Sequence, residues 1–225
     1  MQLYLSSLSF DPESFSTFLG TNSRLGLIAN ALDFLPPKPR SEAVASTFNA
    51  LSQLSDVTEI DLRRYFRDRS ALAEVLSDLD ALWLPGGSCF LLAAALSNSG
   101  AGALVTGRVR NNTLKYAGSS AGAVVASTDL RPATTCEDPS IVRQRYHYDP
   151  VFTGLGLLNA SIIPHFIDAP SKDPSQDELP THLMRDYCLE NGIDFVTITD
   201  GSALIIDGVS TTEITFPPVS PLITA

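Results

Sequence analysis

The stretch LKYAGSSAGAVVA, residues 114–126, joins a short extended run to an apolar run through a turn made of small residues. Glycine stands two positions before and two positions after Ser120, which gives the G-x-S-x-G pattern of a nucleophile elbow between a strand and a helix. Such a turn is so sharp that its flanking residues must be small, and its central serine projects into solvent. Only Ser120, and not Ser119, has this spacing to Gly118 and Gly122. The stretch therefore predicts a nucleophilic Ser120, with a plain strand-to-helix turn capped by two serines as the alternative.

The rest of the chain alternates extended and helical patterns. Extended runs are Leu3–Leu5, Leu25–Asn30, Val57–Ile60, Ala81–Leu84, Ala160–Ile163, Phe195–Thr199 and Leu204–Asp207, and helical runs are Ser41–Leu54, Asp68–Leu79, Phe90–Leu96 and a helix from about Asp177 to Asn191. This order predicts an α/β fold, with a mostly parallel central sheet covered by helices on both faces.

The length of 225 residues fits one domain, residues 1–225, with a core of its own. The segments Leu130–Gly154 and Ala169–Gln176 are predicted to be surface loops. The proline-containing tail Pro217–Ala225 is predicted to be peripheral. In the predicted C-terminal helix, the spacing of Leu179, Leu183, Met184, Tyr187 and Cys188 predicts that these residues face inward.

Composition narrows the classes of partner. The net charge is −10 and no basic cluster is longer than Arg63-Arg64, which argues against nucleic acid and against anionic membranes as partners. Residues 1–6 lack the features of a secretory signal, and the longest apolar run, Cys89–Leu96, is far short of the ~20 residues that span a bilayer. The three cysteines lack metal-ligand spacing. We expect a cytoplasmic chain without a metal or organic cofactor, as a monomer or homodimer.

Three motifs fall at the predicted C-terminal ends of strands, where open α/β sheets bind their ligands. They are PGGS at 85–88, the Ser120 elbow, and PHF at 164–166. A serine nucleophile needs a base, and the chain has three histidines. We predict His165 as the base, because it follows a buried strand. His147, in a tyrosine-flanked loop, and His182, in the middle of a helix, are the alternatives.

A carboxylate that orients the imidazole would complete such a site. Asp200, between a predicted strand and Gly201, is the favoured residue, with Glu137, Asp138 and Asp168 as the competing acids. An oxyanion hole needs two backbone donors. The N–H of Ala121 is one candidate, and the Gly86-Gly87 pair can bring a second, although that pair taken alone is better explained as a plain strand-to-helix turn with glycine for backbone freedom.

Together, PGGSCF at 85–90, GSSAGA at 118–123, PHF at 164–166 and DGS at 200–202 resemble the motifs of the peptidase E family of serine peptidases, the aspartyl dipeptidases. The resemblance runs from LYLSS at 3–7 to about Asp207, nearly the whole chain. It implies a three-layer α/β/α sandwich like that of the class I glutamine amidotransferases. It also implies Ser120 as nucleophile, His165 as base, Asp200 as the third member, and an oxyanion hole from Gly87 and Ala121.

Two positions depart from that family pattern. The dipeptidases typically carry glutamate where this chain has Asp200, so the carboxyl arm is shorter here. They also use an arginine after the histidine to pair with the substrate's aspartate, and the corresponding position lies near Leu179, in a stretch, 169–184, without arginine. Lys172 and Arg185 are the nearest cations, and lysine lacks the bidentate fork. The expected substrate is therefore a small peptide or related amide of open side-chain preference.

Other classes fit the sequence less well. An α/β-hydrolase esterase would place its histidine after the acid and near the C-terminus, and no histidine follows His182. A glutamine amidotransferase requires cysteine where Ser120 stands. A non-catalytic or altered-specificity member of the same fold that binds a small ligand stays open, because the specificity arginine is missing. Arg143, Arg145 and Tyr146 of the long loop are candidate substrate contacts.

Overall fold

The computed structural model describes residues 1–167 and 180–217. A seven-stranded sheet is its centre, with the strand order β3-β2-β4-β5-β1-β8-β9. The first five are parallel, and β8 and β9 are antiparallel. The strands are β1 (Gln2–Ser6), β2 (Arg24–Leu27), β3 (Asp56–Glu59), β4 (Ala81–Leu84), β5 (Lys115–Ser119), β6 (Ser161–Ile163), β7 (Phe195–Thr197), β8 (Ser202–Asp207) and β9 (Ser210–Thr215).

Helices cover both faces of this sheet. They are α1 (Pro12–Leu19), α2 (Pro37–Leu51), α3 (Ser70–Ser77), α4 (Cys89–Ser99), α5 (Ala101–Arg110), α6 (Ala121–Val124), α7 (Ile141–Tyr146) and α8 (Thr181–Asn191). Successive strand residues point to opposite faces: Leu3 and Leu5 pack in one apolar cluster with α3 to α8, and Tyr4 packs in a second cluster with α1 and α2. The predicted α/β sandwich with a mostly parallel central sheet is confirmed.

The parallel strands bring five chain segments to one edge of the sheet. β1 and β5 are neighbours, and their last residues, Ser6 and Ser119, are in register. β8 runs the opposite way and therefore begins at this edge, where Ala203 pairs with Ser6. The residues just after β1, β4 and β5 and just before β8 consequently lie close together, although they are far apart along the chain.

The predicted strands at 160–163 and 195–199 do not join the central sheet. β6 and β7 form a separate two-stranded parallel sheet, with Ile163 opposite Thr197. The expectation that His165 lies at the end of a strand of the main sheet is therefore wrong in its detail. Each strand of the pair is only three residues long, and its partner strand is more than thirty residues away in the chain. Local patterns carry no information about such pairing.

Several other boundaries and faces differ from the prediction. The segment Leu130–Gly154 is not a plain surface loop, because it contains α7 and a 3-10 turn, Arg131–Thr135, and it buries Leu130 and Val142. α8 begins at Thr181, and Leu183 is exposed rather than inward-facing, because Met184 and Cys188 take the buried face. The predictions for Ala169–Gln176, Leu179 and most of the tail lie outside the described residues.

Among residues 1–167 and 180–217, no single helix has the length and apolar character needed to cross a membrane. α4 and α5 would reach that length only as a pair, and the two helices are bent by 91° at the break between them.

Candidate active site

The turn around Ser120 has the backbone of a nucleophile elbow. Ser120 follows β5 directly and has φ 49° and ψ −114°, a conformation that costs a non-glycine residue about 1–3 kcal/mol. A Cβ on Gly122 would lie 1.9 Å from the backbone oxygen of Leu84, and one on Gly118 would lie 2.6 Å from the carbonyl carbon of Gly122. The glycines at both positions are thus required by close backbone packing. The helix that follows, α6, has only four residues.

The imidazole of His165 contacts the elbow. His165 Nε2 lies 2.9 Å from Ser120 Oγ, and His165 Nδ1 lies 2.7 Å from Asp200 Oδ1. A carboxylate at Nδ1 makes that nitrogen the N–H donor, so Nε2 is left as the acceptor for the serine hydroxyl. The structure therefore brings Ser120, His165 and Asp200 into one hydrogen-bonded chain.

The two-stranded sheet explains why His165 and Asp200 meet. His165 lies two residues after β6, and Asp200 lies three residues after β7, at the same end of this parallel pair. Beyond the strands, Ile198 N–H donates to Ile163 O at 2.9 Å, and Phe166 N–H donates to Ile198 O at 3.1 Å, which continues the ladder past the histidine. His165 itself has φ 54°, so the chain turns sharply where the imidazole leaves it.

Hydrogen bonding lowers the pKa of Asp200. The bond from His165 is the largest contribution, and partial burial opposes it by raising the pKa, while a bond from Ser7 lowers it further. The Asp200 side chain is 51% exposed and that of His165 is 16% exposed. The carboxylate is therefore at the rim of the site, with the imidazole between it and the serine.

Ser7 is a member of this cluster that the sequence analysis missed. Its hydroxyl donates to Asp200 Oδ1 at 2.6 Å and accepts the backbone N–H of His165 at 2.7 Å. Ser7 follows β1 just as Ser120 follows β5, and these strands are neighbours. The signal available in the sequence was a serine directly after a buried strand, but the strand order that gives it meaning is not visible there.

The Gly86-Gly87 turn lies against the elbow. A Cβ on Gly86 would lie 3.1 Å from Ser120 Cβ. Gly87 has φ 132°, and a Cβ on it would lie only 2.4 Å from Ala31 O. In the part of the chain that the structure describes, the N–H groups of Gly87 and Ala121 donate to no protein acceptor. The two turns that meet at Ser120 thus each hold a backbone donor without a partner among the described residues.

Glu137 lies at the start of α4 rather than beside a histidine. Its carboxylate accepts a hydrogen bond from the hydroxyl of Ser88, and Cys89 N–H donates to Oε2 at 3.0 Å. Burial raises the pKa of Glu137, against the hydrogen bonds that lower it. This competing acid therefore caps the helix that follows the Gly86-Gly87 turn.

The remaining candidates have hydrogen-bond or ion-pair partners other than the Ser120–His165–Asp200 cluster, or lie on other elements or outside the described residues. Asp138 bonds Ser140, His147 is an exposed residue that ends α7, and His182 lies on α8. Arg143 pairs with Asp149 at 2.8 Å, Arg145 donates to Phe34 O, and the Tyr146 hydroxyl donates to Asp33. Arg185 pairs with Asp186 at 2.9 Å and lies over the ring of Phe166. Asp168, Lys172 and Leu179 belong to the segment that is not described.

The fold and the site define an α/β protein with a serine, a histidine and an aspartate in hydrogen-bond contact at the edge of its sheet. The model of Peptidase family S51 matches residues 15–214. The chain therefore belongs to peptidase family S51.

Individual relatives agree with this assignment. Peptidase E of Streptomyces coelicolor is 32% identical over 149 residues, which are 66% of this chain and 57% of that protein. A Drosophila melanogaster protein with alpha-aspartyl dipeptidase in its name is 24% identical over 135 residues, 60% of this chain and 53% of that protein. The matches thus span about half the length of these curated relatives.

A solved structure shows the same fold. A crystal structure from Listeria monocytogenes EGD-e, with peptidase E in its name, has a TM-score of 0.71 at 20% sequence identity. The match covers 96% of this chain and 98% of that one.

Proposed function

We propose that the chain is a serine peptidase that hydrolyses a small peptide or a related amide through an acyl-enzyme. The observation that carries the proposal is the continuous hydrogen-bonded chain from Ser120 Oγ through His165 to Asp200, with contacts of 2.9 and 2.7 Å. Membership of family S51 supports the same chemistry.

Each residue of the cluster has a separate role in the proposed reaction. Ser120 Oγ attacks the scissile carbonyl carbon, while His165 Nε2 takes the hydroxyl proton and later gives it to the leaving amine. Asp200 holds the imidazole in the tautomer that accepts at Nε2 and stabilises its charged form. Water then attacks the acyl-enzyme with His165 again as base, which releases the acid and restores the serine.

The unpaired N–H groups of Gly87 and Ala121 are proposed to bind the oxyanion of the tetrahedral intermediate. They belong to two turns that meet at Ser120, and among residues 1–167 and 180–217 neither N–H has a hydrogen bond that it would have to break in order to donate. Preorganised donors of this kind are worth about 10²–10³ in kcat each.

The preference for the substrate's N-terminal side chain depends on residues around the Ser120–His165–Asp200 cluster. One relative has aspartyl dipeptidase in its name, but stretch 169–184 of this chain lacks arginine. We propose hydrolysis of small peptides without a required N-terminal aspartate.

The proposal is tested by assaying release of free amine from a panel of dipeptides with acidic, neutral and basic N-terminal residues. We expect wild-type turnover on at least one of them. Loss of the nucleophile in Ser120→Ala should lower kcat by more than about 10³-fold, and Asp200→Asn should lower it by about 10²–10⁴-fold. Ser119→Ala, which changes the neighbouring serine, is the matched control and should stay near wild type.

Full activity in Ser120→Ala would contradict the proposal. Dipeptide binding measured by calorimetry, without turnover of any member of the panel, would instead support the alternative, a member of the fold that binds a small ligand and has lost catalysis.

A further inference from the structure

The hydroxyl of Ser7 uses both of its hydrogen-bonding capacities on the proposed catalytic residues. It donates to Asp200 Oδ1 at 2.6 Å and accepts from His165 N–H at 2.7 Å, and its oxygen lies 3.4 Å from His165 Nδ1. The Ser7 side chain is buried. The same oxygen of Asp200 therefore receives a hydrogen bond from Ser7 and one from the imidazole.

Asp200 needs such a support because of where it lies. Its side chain is 51% exposed, and it sits in the turn between β7 and β8. An exposed carboxylate on a turn can rotate towards water, which would release the Nδ1–H that fixes the tautomer of His165. Ser7 is better fixed, because it follows a central strand and its own N–H donates to Ser202 O at 3.3 Å.

The backbone of His165 also needs to be held in place, because its conformation is an uncommon one. Its φ of 54° is uncommon for a residue with a side chain and persists only where the surroundings hold it. The bond from its N–H to Ser7 Oγ, together with the bond of its carbonyl to Thr181 Oγ1 at 3.0 Å, fixes the peptide groups on both sides of this turn.

We propose that Ser7 is a positioning residue, which holds the carboxylate of Asp200 and the backbone of His165 so that Nε2 faces Ser120. The inference rests on the proposed function, because it assigns Ser7 a part in activating the same nucleophile. Ser7 itself touches no reacting atom and acts through its two neighbours.

The chain supplies a matched control next to Ser7. Ser6 is equally buried, and its hydroxyl has no hydrogen-bond partner within the described residues. Ser6→Ala and Ser7→Ala therefore remove the same atom from adjacent buried positions, one without a hydrogen bond among the described residues and one with hydrogen bonds to Asp200 and His165. Any general effect of losing a buried hydroxyl should appear in both variants.

Steady-state kinetics on the best dipeptide of the panel tests the proposal. We expect Ser7→Ala to lower kcat by about 10- to 100-fold with little change in KM, because a bond to a charged group is lost. Ser6→Ala should stay within about twofold of wild type. If Ser7→Ala does not fold, Ser7→Cys, which keeps a side chain of similar size with a weak donor, takes its place with the same expectation.

Two further readouts separate positioning from general destabilisation. The low-field proton NMR signal of His165 Nδ1–H should shift or broaden in Ser7→Ala and stay unchanged in Ser6→Ala. In a double-mutant cycle, adding Ser7→Ala to Asp200→Asn should cost less in kcat than adding it to wild type, because the carboxylate, one of the two groups through which Ser7 acts, is already gone.

The outcomes distinguish this inference from the proposed function. If Ser7→Ala and Ser6→Ala have equal kcat and identical Nδ1–H signals while Ser120→Ala is inactive, the role of Ser7 is refuted and the proposed function stands. If Ser120→Ala is as active as wild type, the proposed function fails. The NMR comparison then still shows whether Ser7 orients the imidazole.

Discussion

At the scale of single residues, the cluster combines groups with different degrees of exposure. Ser7 is buried, His165 is mostly buried, and Asp200 is half exposed at the rim. The types of residue needed for a serine nucleophile, a base and an orienting acid could be predicted from the sequence, because each stands beside a glycine or a strand end. Ser7 could not, since a serine after a strand is common and its partners are more than 150 residues away.

The lowered pKa of Asp200 leads to a prediction about acid stability. A carboxyl group whose pKa is lower in the folded chain stabilises the fold above its unfolded pKa of about 3.9, and this contribution is lost as the pH falls through the folded pKa. Wild type should therefore exceed Asp200→Asn in its free energy of unfolding near pH 6, and the gap should narrow below about pH 4. Urea denaturation at a series of pH values measures it.

The control for this experiment is Asp207→Asn, which changes an exposed aspartate at the other end of β8. The pH dependence of the Asp200→Asn difference in free energy of unfolding is compared with that of this variant over pH 6 to pH 3. A gap for Asp200→Asn that stays constant or widens towards low pH would contradict the assigned cause of the shift.

At the scale of elements, tight contacts between β4, β5 and the start of α6 shape the elbow. Helices with clear apolar spacing, such as α2 and α3, were predicted from the sequence. The helices α1 and α5 and the strand β9 were not predicted. α5 follows α4 after Gly100 alone, and its Gly102 and Gly107 weaken the helical pattern. The pairing of β6 with β7 escaped prediction because three-residue strands carry too little pattern.

Two glycine substitutions test the packing of the elbow. Gly122→Ala would place a Cβ 1.9 Å from the backbone oxygen of Leu84, which cannot move without shifting β4. Ordinary overpacking of a core lowers the free energy of unfolding by ~1–3 kcal/mol. Because this contact is so short, we expect a larger loss, of several kcal/mol, or a failure to fold. Thermal and urea unfolding measure the effect.

The matched substitution is Gly107→Ala on α5, where a Cβ would meet nothing within 4 Å. Alanine is the better helix former, so this variant should gain about 0.5–1 kcal/mol. Equal stability of the two variants would show that the elbow is not packed as described.

At the scale of the whole molecule, the strand order decides which residues meet. β1 lies between β5 and β8, so the ends of β1 and β5 and the beginning of β8 converge, although these strands come from the start, middle and end of the chain. Alternating patterns predict that a parallel sheet exists but not its order. The sequence therefore allowed the fold class and three members of the cluster to be predicted, while the spatial arrangement required the structure.

The pairing of His165 with Ser120 is tested by the rate at which a fluorophosphonate probe labels the chain, followed by peptide mass spectrometry. We expect one adduct per chain on Ser120, formed at least about 100-fold more slowly in His165→Ala because the base is lost. His182→Ala, which changes a histidine on α8, is the control and should label like wild type. An adduct elsewhere, or equal labelling rates for wild type and His165→Ala, would contradict the claim that His165 activates Ser120.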